Sequence, residues 1–68
     1  MKLKIDGELL HIPEAARRLG LKPSTLRAWV LRGRIGCCRP GGRAVRIPAS
    51  EIERVIAETY TPPREAAR

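Results

Sequence analysis

The sequence predicts a mostly α-helical fold with a small β-hairpin. Three observations carry that expectation. Apolar residues recur at helical spacing in two short segments, Ile12–Leu19 and Pro23–Val30, with a glycine-containing turn between them. Pro40-Gly41-Gly42 then separates two short runs with β-formers, Ile35–Arg39 and Arg43–Ile47. A third helical stripe follows at Ile52, Val55 and Ile56. The 68 residues make one domain at most. A chain this short buries only about 60% of the surface its unfolded form exposes, which leaves no room for a large substrate cavity.

Residues 1–10 read as a short extended lead-in. Lys2-Leu3-Lys4-Ile5 alternates like a half-buried strand, Asp6-Gly7 signals a turn, and Leu9-Leu10 returns apolar residues to the core. The first helix is predicted over Ile12–Leu19, because Ile12, Ala15, Ala16 and Leu19 share one face. Pro13 suits its first turn, Glu14 suits its positive end, and Gly20 suits its stop, with Leu21 folding back over the last turn. The second helix starts at Pro23, buries Leu26, Trp29 and Val30, and ends by Gly33. Its open face presents Ser24, Thr25, Arg27, Ala28 and Leu31. In the second hairpin strand Val45 and Ile47 pack while Arg46 faces outward, and Pro48 ends that strand. Ser50 is a candidate N-cap for the third helix, and Thr61-Pro62-Pro63 stops it. The domain is therefore expected over residues 1–60, with a disordered tail over 61–68.

Charge is unevenly placed. The chain carries a net +7. Residues 1–22 contribute +2 and residues 50–68 contribute −1, while residues 23–49 hold six arginines and no acid. A solvated basic face is the plain reading, but six unopposed arginines between two acid-bearing segments fit a polyanion footprint better. Two cysteines exclude a disulfide-dense scaffold, and no run is apolar enough to span a membrane. Asp6 arrives too early for a signal peptide. A cytoplasmic, DNA-associated protein is expected.

Helix-turn-helix, arginine-rich hairpin and helix, in that order, make a winged helix-turn-helix. Glu14-Ala15-Ala16, then Leu19-Gly20 and Ser24-Thr25-Leu26-Arg27-Ala28-Trp29, resembles the DNA-binding head of the MerR superfamily. Gly42, then Arg46-Ile47-Pro48-Ala49-Ser50-Glu51-Ile52, resembles the excisionase-like branch of it, whose members are bacterial or phage-encoded. The resemblance spans about Leu9 to Ile56. It implies that the second helix enters the major groove and the hairpin lies against an adjoining minor groove or the backbone. Full-length MerR regulators add a long dimerisation helix and an effector domain, for which the residues after Ile56 are too few, so a stand-alone domain is expected. His11 and Lys22 depart from the family, standing where serine or threonine caps belong.

Candidate DNA contacts follow. Ser24, Thr25 and Arg27 lie near the start of the second helix, the end that reads base edges in such folds, and Arg27 leads them. Ser24 is open to a plainer role as a first-turn residue. Lys22 and Arg32 flank the helix and suit phosphates. Arg39, Arg43 and Arg46 belong to the hairpin, with Arg43 at the tip suited to a narrow minor groove. A pairing of Arg46 with Glu51 or Glu53 is the rival reading at that position, and Arg17 and Arg18 are open to backbone contact or plain solvation. Trp29 reads as core rather than a stacking platform. Cys37 and Cys38 are adjacent, so a strand would leave one partly buried and one exposed. With no CxxC spacing and one histidine, no metal site is expected; no cofactor and no catalytic group are expected either.

The leading expectation is a sequence-specific duplex-DNA-binding protein. The resemblance implies an architectural factor for site-specific recombination, working beside neighbouring copies of itself and an integrase, or a small transcription regulator. The alternatives are the DNA-targeting module of a larger recombinase or phage packaging assembly, and a protein-interaction domain on the same scaffold.

Overall fold

A computed structural model describes residues 7–64. The Lys2–Ile5 alternation and the end of the expected tail lie outside them. The chain forms a short strand β1 (Leu9–Leu10), helices α1 (Ile12–Leu19) and α2 (Pro23–Leu31), a 3₁₀ turn (Pro40–Gly42), strand β2 (Ile47–Pro48) and helix α3 (Ala49–Thr59). This is the winged helix-turn-helix architecture: three helices, with a small antiparallel pair of strands.

Both helix-turn-helix stops are made by glycine in the left-handed region. Gly20 has φ 72° and Gly33 has φ 72°. After α1, the Leu21 N–H donates to the Ala16 carbonyl at 2.8 Å and the Gly20 N–H to Arg17 at 3.1 Å. After α2, the Arg34 N–H donates to Trp29 at 2.9 Å and the Gly33 N–H to Val30 at 3.1 Å. Each paired closure satisfies carbonyls that a helix end otherwise leaves orphaned. The starts differ: neither His11 nor Lys22 makes a side-chain cap, and proline stands in the first turn of both helices.

The core joins every layer. Leu10, Ile12, Ala15, Ala16, Leu26, Ile35, Ile47, Ile52 and Val55 are buried together. Leu26 and Ile47 are its largest fully enclosed side chains. Burying a side chain of that size is worth about 1.5–3 kcal/mol. Trp29 and Val30 are half-buried against this cluster, which places Trp29 with the core. Ala15 and Ala16, both fully enclosed, add no bulk where α1 meets its neighbours.

Four expectations need correction. The hairpin is not a ladder. Its two arms meet only at Cys38 and Arg46, which exchange bonds of 2.7 and 2.8 Å. The reason is in the tip, where Pro40 brings no N–H and Gly41 and Gly42 both take positive φ. The β2 strand pairs instead with β1, Leu9 opposite Pro48 and Leu10 opposite Ile47. Ser50 is not the cap of α3, because the helix already begins at Ala49. The Ala49 N–H donates to the Glu8 carbonyl at 2.9 Å, so a tertiary contact does what a side-chain cap would do. The sequence pattern places Ile56 and Leu9 inside, yet they are 48% and 41% exposed. The small core is already filled by Ile52 and Val55 on α3 and by Leu10 on β1. Finally, Cys37 and Cys38 are both half-buried and free, because they sit in an irregular arm rather than a regular strand.

Candidate nucleic-acid interface

The ionic pairing of the flanks defines the site. Glu14 accepts from Arg17 and, at 3.1 Å, from Arg18; Arg18 also approaches Glu8 at 3.8 Å. Hydrogen bonds from Arg18 and then Arg17 hold the Glu14 carboxyl below the usual range, with desolvation pushing the other way. On α3, Arg54 donates to Glu51 at 2.6 Å and to Glu58 at 2.7 Å. These contacts keep the Arg54 guanidinium charged well beyond its ordinary range. Among the described residues Glu8, Glu14, Glu51 and Glu58 are thus matched to arginines of their own segments, while Glu53 makes no ion pair. Among the described residues, Lys22, Arg27, Arg32, Arg39 and Arg43 have no ion-pair partner.

Those five do not all come together in one place. Arg27 of α2 and Arg39 of the wing line the same open groove, of about 220 Å³, with Ile12, Val30, Leu31 and Val45. Lys22 stands before α2, Arg32 stands after it, and Arg43 follows the 3₁₀ turn; all three are exposed. Ser24 is exposed and Thr25 half-buried in the first turn of α2. Arg46 is half-buried and its guanidinium donates to the Val45 carbonyl at 3.0 Å. Among the described residues its rival pairing with Glu51 or Glu53 is not made; Glu51 pairs with Arg54 instead. Arg17 and Arg18 are taken up by Glu14 and Glu8.

One further arginine of the basic block is also engaged. The Arg34 guanidinium lies over the Trp29 ring, 5.1 Å from its centre. That contact depends on the turn at Gly33, which carries the chain back over α2, so spacing along the sequence does not reveal it. The wing root is clamped from α3. The Gly36 N–H donates to the Glu51 carboxylate at 2.7 Å. The Arg54 bond holds the Glu51 carboxyl below its usual range; partial burial opposes this, and the Gly36 N–H adds to the lowering.

A profile of the helix-turn-helix domain family matches residues 9–60. The chain belongs to that family. It is a DNA-binding family of excisionase-like type, and this helix-turn-helix domain reaches from β1 through the last turn of α3. No curated protein and no solved structure gives a significant match. Among the described residues of the helix-turn-helix domain, no helix is long and apolar enough to cross a membrane.

Proposed function

We propose that this helix-turn-helix protein binds duplex DNA in a sequence-specific manner and serves as an excisionase-like architectural factor in site-specific recombination. In that role it works in the bacterial cytoplasm, beside further copies of itself and an integrase, without an enzymatic step of its own. The observation that carries the reading is the set of cations that have no ion-pair partner among the described residues, lying between flanks in which Arg17, Arg18 and Arg54 are paired with acids of their own segments. Arg27, with Ser24 and Thr25, addresses base edges from α2. Lys22 and Arg32 hold phosphates at the two ends of α2. Arg39, Arg43 and Arg46 bring the wing to the adjoining backbone or minor groove.

The reading is tested with a duplex enriched by the full chain from a randomised pool. Anisotropy titration should show the enriched duplex bound at least tenfold more tightly than a scrambled one at physiological salt, since specific binding normally exceeds non-specific binding by far more. Gel mobility with the site moved along a fragment should reveal a bend. Failure to enrich any sequence overturns specific recognition. Specific binding without a bend leaves the regulator reading in place of the architectural one.

A further inference from the structure

Leu31 is 83% exposed, the most open large apolar side chain among the described residues. A single exposed leucine is ordinary. Its surroundings are not. Ser24, Arg27 and Leu31 fall at i, i+3 and i+7, on one face of α2. Leu31 and Arg27 line the groove between α2 and the wing, with Arg39 across from them and Ile12, Val30 and Val45 completing the wall. The groove is thus apolar inside, with two guanidinium groups among its lining residues. The backbone beneath Leu31 is held by the bonds from Gly33 to Val30 and from Arg34 to Trp29. Removing Leu31 would cost the core almost nothing.

Resting on the DNA-binding reading above, we propose that Leu31 is a specificity-determining residue that packs on the C5-methyl group of a thymine in the major groove. That methyl is the one apolar group a base pair displays on its major-groove edge. A leucine set among cations matches a surface where a methyl group stands among phosphates and polar base edges. The charge of Arg27 and Arg39 selects the polyanion as occupant over an apolar peptide. Leu31 then discriminates T·A from C·G at one position, while the arginines supply attraction and register.

The test removes the methyl without altering base pairing. The enriched duplex is synthesised with deoxyuridine in place of thymine, one position at a time, and titrated with the wild type and with Leu31→Ala. Far-UV circular dichroism and a thermal melt of Leu31→Ala should match the wild type. At one thymine the wild type should lose about fourfold in affinity, the effect of one methyl-sized apolar contact. Leu31→Ala should bind the thymine duplex more weakly by a similar factor and be indifferent to deoxyuridine there. Wild-type indifference at every thymine overturns the proposal, and so does equal sensitivity of the two proteins. Unchanged binding by Leu31→Ala overturns it too and leaves Leu31 to a protein partner. In those cases specific DNA binding survives, whereas failure to enrich any duplex removes both readings together.

Discussion

Arg27 and Arg43 are both exposed arginines without an ion-pair partner among the described residues, yet they sit on backbones of different kinds. Arg27 is carried by a helix whose side-chain directions are set by packing of Leu26, while Arg43 follows two glycines at the wing tip. A fixed side chain can hold the bidentate geometry that base reading needs; a side chain on a pliable tip serves better as a phosphate or minor-groove contact. Arg27→Ala should therefore relax sequence preference by about 1–3 kcal/mol at one base pair. Arg43→Ala should weaken enriched and scrambled duplexes nearly alike. Competition titrations check this, and identical losses on both duplexes for both variants would refute the division. Gly36 and Glu51 are coupled in another way. A Cβ on Gly36 would come within 2.9 Å of the Glu51 carboxylate oxygen. Gly36→Ala therefore displaces a flexible carboxylate and loses its bond to the wing root, at about 0.5–1 kcal/mol after solvent screening. In a Glu51→Ala background the same change should cost almost nothing, because the obstacle and the bond are already gone. Urea melts of the two single variants and the double variant measure the difference, and additive losses would exclude the coupling.

At the scale of elements, α2 exposes a conflict between stability and function. Lys22 occupies the N-cap backbone conformation, with φ −75° and ψ 146°, but its ammonium has no acceptor and makes no side-chain cap. Serine there can accept from the Ser24 or Thr25 N–H, and a restored cap is worth about 1 kcal/mol. Lys22→Ser should raise the melting temperature by about 4–8 °C in a domain of this size. It should also lower DNA affinity, with the salt slope falling by about one phosphate. A variant that is more stable and binds as well as the wild type would remove Lys22 from the interface. The contact between α3 and the wing root adds a pH signature. Because the folded Glu51 carboxyl titrates below its usual range, its contribution is present above the ordinary glutamate pKa and fades as pH falls through the lower folded value. The stability difference between wild type and Glu51→Gln, read by thermal melts, should narrow on acidification; a constant difference would show that the charge is idle. The limits of α1 and α2 were legible because periodicity, proline and glycine agree on them. The wing was less legible. β2 joins a strand some forty residues earlier, a pairing that two-residue strands do not announce, and the start of α3 is set by the Glu8 carbonyl rather than by a side chain nearby in sequence. Of the candidate site, the residues could be named from sequence, but the groove shared by Arg27, Leu31 and Arg39 required the fold.

For the whole molecule, net charge says less than pairing does. Against the +7 total, the described flanks carry internal ion pairs, Arg17 and Arg18 with Glu14 and Glu8, and Arg54 with Glu51 and Glu58. These exposed pairs contribute little to stability. Their consequence is electrostatic: they occupy Glu8, Glu14, Glu51 and Glu58 with arginines of their own segments, so a phosphate chain meets central cations that have no ion-pair partner among the described residues. Arg34 and Arg46 are partly committed as well, one to the Trp29 ring and the other to the Val45 carbonyl. In the proposed interface Arg27 addresses a base edge, so Lys22, Arg32, Arg39, Arg43 and Arg46, whose bond to a neutral carbonyl leaves its charge uncompensated, are the five that release counterions. If each neutralises one phosphate of duplex DNA, the log–log slope of affinity against salt should lie near −4.5, at about −0.9 per contact. A count of all fourteen lysines and arginines would demand a far steeper slope. Anisotropy titrations over a range of sodium chloride concentrations distinguish the two. A slope flatter than about −2 would mean that the central block does not face the backbone, and one near the full count would mean that the flank pairs open on binding. The variant Arg17→Ala provides the internal control: it leaves the slope unchanged if Arg17 stays paired with Glu14, and flattens it by about one phosphate if that arginine turns to the DNA.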